Sequence, residues 1–271
     1  MKTLFVSDLD GTLLDKTPKT SEYTNAIINA LNKAGMTITF ATARSFVTTK
    51  KVTNGLEFFH PLVVHNGTFI VDKNGEILVK NIFEKSDAQE LLSEILQNDL
   101  SPVVFSLIDG EQKFSYVKDE INKPTKDFIN ERQTDKRNHP LKTHDELYSG
   151  EIYYFTLIGD EDKTKKLYEK YKDRYKCYFQ RDMYSNEYWL EITPKNATKA
   201  NAVKQLATLL ECDYIVAFGD GINDLEMFLI ADEAYAVENA VDSLKQKATK
   251  IIDSNIKNGV AKWLKKRYTK G

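Results

Sequence analysis

At 271 residues the chain has room for one large domain or two modest ones, with an ample core in either case. Its formal net charge of −2, with 41% hydrophobic and 29% charged residues, describes a soluble globular protein without a basic field for nucleic acid. No apolar run reaches the roughly 18 residues of a membrane span, no signal-peptide pattern precedes the first strand, and Cys177 and Cys212 lack C-x-x-C spacing, so a reducing cytoplasm is expected.

Thr3-Leu4-Phe5-Val6 is a short apolar run of the kind that forms a buried parallel strand. It leads into Ser7-Asp8-Leu9-Asp10-Gly11-Thr12-Leu13-Leu14. Asp8 and Asp10, at i and i+2, leave the strand on one face if the extended conformation persists that far. Carboxylates that close repel, so the pair is costly unless a cation lies between them. Gly11 lets the chain turn sharply, and Thr12 can bond the backbone groups that the turn frees. A bare D-x-D also fits an ordinary acidic turn. The strand before it and the apolar pair after it favour a functional reading.

Asp15 to Thr20 reads as a loop, and Thr20 or Ser21 can cap a helix. Ile27, Ile28, Leu31 and Ala34 fall on one face of that helix, which ends at Gly35. Met36 to Ala41 is a second strand, rich in β-branched residues. It ends in Thr42-Ala43-Arg44-Ser45, with Ser45 placed to cap the next helix. The Thr42 hydroxyl, beside helix-opening N–H groups, suits a phosphate oxygen, although threonine at a strand end is commonly structural. Leu62 to His65 is a third strand, and Asn66-Gly67 turns into a further pair of strands ending at Lys80. His65 reads as a packed strand residue rather than a base.

From about Ile82 the texture changes. Ser86-Asp87-Ala88-Gln89 reads as a capping box, opening a helix with Leu91, Leu92, Ile95 and Leu96 inward. Asp109-Gly110 sits between two strand-like runs as a hairpin turn. Asp119 to His144 reads as a helix plus loops, followed by strand, charged helix and two more strands up to Ile192. This grouping predicts an α+β module inserted into a parallel pattern. Nine of the 14 tyrosines lie between Tyr148 and Tyr188. They could line a sugar-binding face, but tyrosine on a half-buried sheet is the commoner case.

The first pattern then resumes. Thr193 to Lys199 leads into a helix with Ala202, Val203, Leu206, Leu209 and Leu210 inward. Lys199 falls in its first turn, where a cation opposes the macrodipole and an anionic partner would explain the placement. Tyr214 to Phe218 is an apolar strand running into Gly219-Asp220-Gly221-Ile222-Asn223-Asp224. A glycine-flanked acid at a strand end, with another acid at i+4 and an amide between, is a metal-site layout. A short strand over Glu233 to Val237, a helix over Ala240 to Ala248, a last strand stub at Ile251-Ile252 and a closing helix from Asn258 complete the chain.

Asp8, Thr42 and Asp220 each follow an apolar run at its C-terminal end, and right-handed crossovers bring such ends to one edge of an open parallel sheet. Asp-Leu-Asp-Gly-Thr, Thr42, Lys199 and Gly-Asp-Gly-Ile-Asn-Asp together resemble, in order, the four motifs of the haloacid dehalogenase-like phosphohydrolases. Asn66-Gly67 and the insertion resemble that superfamily's Cof-type branch. The resemblance implies a doubly wound, Rossmann-like α/β core over residues 1–82 and 192–271, with an α+β cap over 83–191 that selects substrate. It implies a phosphatase acting on small phosphorylated metabolites, sugar phosphates or similar, with Mg²⁺ as cofactor. Asp8 would be the nucleophile and Asp10 the acid and base. Asp8, Asp220 and the backbone carbonyl of Asp10 would hold the metal, with Asp224 steadying that set rather than binding directly. Thr42, Lys199, Asn223 and the N–H groups of Leu9 and Ala43 would hold phosphoryl oxygens. Lys195 is a rival for the cation, and Ala43 departs from the glycine often found between the family's Thr and Arg.

Three other readings share parts of this pattern. A receiver-type domain also phosphorylates an aspartate beside Mg²⁺, but its acceptor ends a later strand and it has no place for the insertion. A phosphomutase would use the same core. A non-hydrolytic phospho-acceptor or binding protein is argued against by the intact Asp8 and Asp10. The physiological substrate and the oligomeric state are not encoded in any of these motifs.

Overall fold

A computed structural model describes residues 1–181 and 187–269. The chain divides into two compact units, Met1–Lys80 with Ala197–Gly271, and Asn81–Asn196. No helix among the described residues is long and apolar enough to cross a membrane.

In the first unit five parallel strands lie in the order Lys250–Ile252, Glu233–Val237, Tyr214–Gly219, Thr3–Ser7, Thr37–Phe40. Burial on both faces explains why these strands are continuous apolar runs: Leu4, Phe5 and Val6 are all inside, as are Val216, Ala217 and Phe218. Full burial of such a side chain stabilises by about 1.5–3 kcal/mol. Helix Glu22–Lys33 packs on the closing helix Gly259–Tyr268, and helix Lys199–Leu209 on Leu225–Ile230. Trp263 of the closing helix meets the rings of Phe5, Phe218 and Tyr235. Ser21 and Ser45 cap their helices as the sequence suggests, accepting from the backbone N–H groups of Thr24 and Thr48.

From Thr3–Ser7 the chain winds outward to Thr37–Phe40 on one side. From Tyr214–Gly219 it winds outward the other way. Strand order therefore reverses between these two neighbours, and a crevice opens at their C-terminal ends. A smaller antiparallel sheet, Leu62–Val64, Phe69–Val71 and Ile77–Lys80, joins the large one through a bridge from Ala41 to Val63.

The second unit holds a six-stranded sheet in the order Lys176–Arg181, Tyr188–Thr193, Glu151–Gly159, Val103–Ile108, Glu111–Val117, Asn138–Leu141. All its pairs are antiparallel except the last. Helices Lys85–Gln97 and Glu161–Tyr171 pack Leu91, Leu92, Ile95 and Leu167 into one core with Phe155 and Leu190. Helix Lys123–Asn130 sets Ile129 into a smaller cluster with Val103, Phe114 and Tyr116. Asp109 and Gly110 both have positive φ, the backbone that a tight two-residue hairpin requires. The doubly wound parallel core with an inserted α+β domain is the fold class expected.

Three local readings need correction. The helix after Phe83 starts at Lys85, with Glu84 as an N-cap that makes no side-chain bond, so Ser86 lies inside the first turn and cannot serve as a cap. Asn138–Leu141 is a strand where a loop was expected. It sits at the sheet edge, where Pro140 leaves no ladder bond unmade. The helix expected over Ala240 to Ala248 is only Asp242–Lys245, because a turn at Val237–Ala240 precedes it. Of the clustered tyrosines, Tyr153, Tyr171 and Tyr175 are core residues, and Tyr184 lies outside the described residues.

Candidate active site

Asp8 continues the line of Thr3–Ser7, its N–H donating to Phe218 O at 3.0 Å. One residue on, the chain turns. The Leu9 carbonyl accepts from the N–H groups of Thr12, Leu13 and Leu14, at 3.2, 2.9 and 2.9 Å. The regular strand therefore stops short of Asp10, and the two carboxylates bond different partners. Asp8 is 4% exposed and meets Lys199, whereas the half-exposed side chain of Asp10 meets Arg44.

Lys199 is the first residue of its helix, behind Thr198, whose hydroxyl accepts from Asn201 N at 3.2 Å. Its Nζ donates to Asp8 Oδ1 at 2.6 Å and to Asp224 Oδ1 at 2.8 Å. These are the anions that offset a cation at the positive end of a helix. Asp224 is fully buried, and its other oxygen accepts from the N–H groups of Asp220 and Gly221 at 3.0 and 3.1 Å. Asp220 accepts from the Thr12 hydroxyl at 2.9 Å through Oδ1. Gly11, at φ +77°, lies so close that a Cβ there would come within 2.2 Å of Asp220 Oδ2. Asn239 Nδ2 donates to the Gly11 carbonyl at 2.7 Å and holds the turn from its other side.

Oxygens of Asp8, Asp220 and Asp224 all lie within 4.8 Å of one another. Three carboxylates then face a single ammonium group. Burial pushes the Asp8 carboxyl up to about 7 against the pull of Lys199, and Asp224 and Asp220 add to the push. Burial raises Asp220 too, opposed by the Thr12 hydrogen bond. Burial alone would lower Lys199, but Asp8 and Asp224 outweigh it and hold the ammonium above its ordinary range. The cluster is short of positive charge. Hard oxygen donors of this kind suit a divalent cation. Among the described residues no donor occupies Oδ2 of Asp8 or Oδ2 of Asp220, so both have an oxygen to offer, and the bare Gly11 keeps the space beside the latter.

Thr42 is fully buried, its Oγ1 accepting from Arg44 N at 3.1 Å, with Ala43 exposed beside it. Leu9 is fully buried. Asn223 is exposed and donates to Asn66 Oδ1 at 3.4 Å. Lys195 belongs to the second unit, where its Nζ donates to the Asp173 carbonyl at 2.9 Å. Arg44 had no assigned role in the sequence reading, and Asn66 was read only as part of the Asn66-Gly67 turn. Arg44 could have been noticed as a cation in a loop already suited to phosphate. The Asn66-Gly67 turn is present, with Asn66 at a positive φ of 53° and its side chain accepting from Asn223.

Residues 5–264 match the family of haloacid dehalogenase-like hydrolases. The chain belongs to this family. It is 30% identical to a Bacillus subtilis protein, 5-amino-6-(5-phospho-D-ribitylamino)uracil phosphatase YwtE, over 94% of each chain. The fold is that of TM0651 from Thermotoga maritima, with a TM-score of 0.80, 24% identity and coverage of 98% of this chain and 97% of that one. A haloacid dehalogenase-like hydrolase from Bacteroides thetaiotaomicron superposes with a TM-score of 0.75 at 20% identity, covering 98% and 100%. The family expected from the motifs is thus the one found, and the chain is a phosphoric monoester hydrolase of that family.

Proposed function

We propose that this haloacid dehalogenase-like enzyme is a Mg²⁺-dependent phosphatase of small phosphorylated metabolites, working through an aspartyl-phosphate on Asp8. The observation that carries this reading is the buried Asp8 carboxylate at the strand-order reversal, 2.6 Å from Lys199 and grouped with Asp220 and Asp224. Asp8 and Asp220, with the backbone carbonyl of Asp10, would hold the ion. When bound, the ion would supply charge neutralisation at the phosphoryl oxygens.

The chain's own residues account for the rest. An Asp8 oxygen forms a bond to phosphorus as the bond to the leaving alkoxide breaks, and Asp10 gives that alkoxide a proton. A water oxygen then attacks the same phosphorus, its proton passing to Asp10 while the bond to Asp8 breaks and phosphate departs. Lys199, Thr42, Asn223 and the N–H groups of Leu9 and Ala43 hold phosphoryl oxygens through both steps. Asp224, bonded by Lys199 through Oδ1 and by two backbone N–H groups through Oδ2, keeps Lys199 and the Asp220 loop in place. The inserted segment is assigned the choice of leaving group.

The test is phosphate release from a panel of phosphorylated metabolites, with and without Mg²⁺. Sugar phosphates belong on it, together with the ribitylaminouracil phosphate named for the Bacillus subtilis relative. Activity on none of them, or activity unchanged in excess EDTA, would refute the reading.

A further inference from the structure

We propose that Arg44 positions Asp10 for proton transfer, a role that rests on the reading of Asp10 as acid and base. The two residues belong to different loops, after Thr3–Ser7 and after Thr37–Phe40. Arg44 Nε donates to Asp10 Oδ2 at 2.7 Å, and Nη2 donates to Oδ1 at 2.5 Å. This is a bidentate fork, which fixes the plane of a carboxylate as well as its place. Asp10 sits on a turn with half its side chain exposed, and no other hydrogen bond among the described residues holds its carboxylate.

The loop that carries Arg44 is anchored by three bonds, two of them to the backbone of Arg44 itself. Its N–H donates to Thr42 Oγ1 at 3.1 Å, and its carbonyl accepts from His65 N at 3.0 Å. The Thr42 carbonyl accepts from Asn66 N at 2.9 Å. His65 and Asn66 hold φ values of 50° and 53° to make these bonds, a conformation that costs a non-glycine residue and persists where the surroundings demand it. The path runs from the His65–Asn66 turn to the Arg44 loop, and from the guanidinium to Asp10. The fork uses one lone pair on each carboxylate oxygen and leaves another on each for a proton in transit. A half-exposed ion pair adds little stability by itself, so stability does not account for this geometry.

The experiment compares Arg44→Ala, Arg44→Lys, Asp10→Asn and the double variant Asp10→Asn/Arg44→Ala on an alkyl phosphate. Both Arg44 variants should lose kcat by about 10²-fold, the scale of a misplaced catalytic group, with KM nearly unchanged. Arg44→Lys keeps the charge but not the fork, and it carries the test if the alanine variant fails to fold. Added guanidinium should restore part of the Arg44→Ala rate. The double variant should be no slower than Asp10→Asn, because Arg44 acts through Asp10. A rise in KM at constant kcat would mean that Arg44 grips the substrate instead, and would overturn the proposal. So would losses that add in the double variant while Asp10→Asn alone is crippled. If Asp10→Asn keeps the full rate, the reading of Asp10 fails, and the role of Arg44 falls with it.

Discussion

Lys199 Nζ lies 2.6 Å from Asp8 Oδ1, although 191 residues separate them in the chain, and 2.8 Å from Asp224 Oδ1. One ammonium therefore neutralises part of a buried acidic cluster. Removing one partner of a buried ion pair costs about 3–5 kcal/mol, because the other charge stays behind unpaired. Lys199→Met should lose stability on that scale in metal-free protein, measured by urea unfolding in EDTA. It should also lose turnover. A variant as stable as the parent in EDTA would show that the carboxylates do not depend on this cation.

The same charge deficit leads to the expectation that a divalent cation bound at this cluster would stabilise the folded protein. Mg²⁺ at 100 times its dissociation constant should raise stability by about 2.7 kcal/mol, by mass action alone. Thermal unfolding with and without Mg²⁺ reads this directly. Asp220→Asn should abolish most of the shift, whereas an equal shift in that variant would place the ion elsewhere.

Gly11→Ala tests how closely the two loops are set. The methyl group would fall 2.2 Å from Asp220 Oδ2, at a φ of +77° that side chains rarely adopt. The left-handed backbone alone costs an L-residue about 1–2 kcal/mol. Asp220 should be displaced, so affinity for Mg²⁺ should fall by far more than that stability loss suggests. Calorimetric titration with Mg²⁺ would check it, and unchanged affinity would contradict it.

Glu191, in the second unit, offers a pH dependence of its own. Burial raises its carboxyl, and the hydrogen bond from the Tyr154 hydroxyl opposes this only in part. A carboxyl raised by folding contributes stability that is complete below its unfolded value, about 4.3, and is lost as pH climbs through the folded value. Glu191→Gln keeps an acceptor for Tyr154 but cannot ionise. It should match the parent near pH 4 and become the more stable of the two by pH 7–8. Urea unfolding across that range checks the sign, and a variant that weakens relative to the parent as pH rises would reverse it.

Asp10→Asn should separate the two chemical steps. Nitrophenolate can leave without a proton, but the second step still lacks its base, typically worth about 10²–10⁴-fold. A burst of nitrophenolate, at most one per enzyme, should precede slow turnover, and acid quenching should trap phosphate on Asp8. An alkyl phosphate should stall before either. No burst and no trapped phosphoenzyme would remove Asp10 from the base role.

Much of this site was legible because apolar strands run straight into it. Leu4 to Val6 ends two residues before Asp8, as Val216 to Phe218 does before Asp220, so each acid could be placed at the same sheet edge. Lys199 stood out as a cation at the wrong end of a helix, and the structure supplies two carboxylates for it. Arg44 was not legible in the same way. Its partner lies across a gap that only tertiary folding closes, and nothing local marks an arginine as a fork for a distant aspartate. The Asn138–Leu141 strand was hidden for a different reason. Its polar residues and Pro140 suit a sheet edge, where alternation of apolar residues is not required. The capping reading of Ser86 failed by two residues, since the N-cap is Glu84 and a helix that begins at Lys85 makes Ser86 an interior position.

The pairing of Thr3–Ser7 with Tyr214–Gly219 has a consequence for how the molecule comes into being. During synthesis the first strand emerges early, apolar on both faces, and its neighbour follows only after the whole inserted segment has been made. Until residue 219 is available, that strand has an open edge on the side where the sheet will grow. Segment 81–196 carries its own core and can fold in the interval, while the earlier residues wait. Non-local pairing of this kind slows folding and lengthens the time for which apolar edges are exposed to other chains.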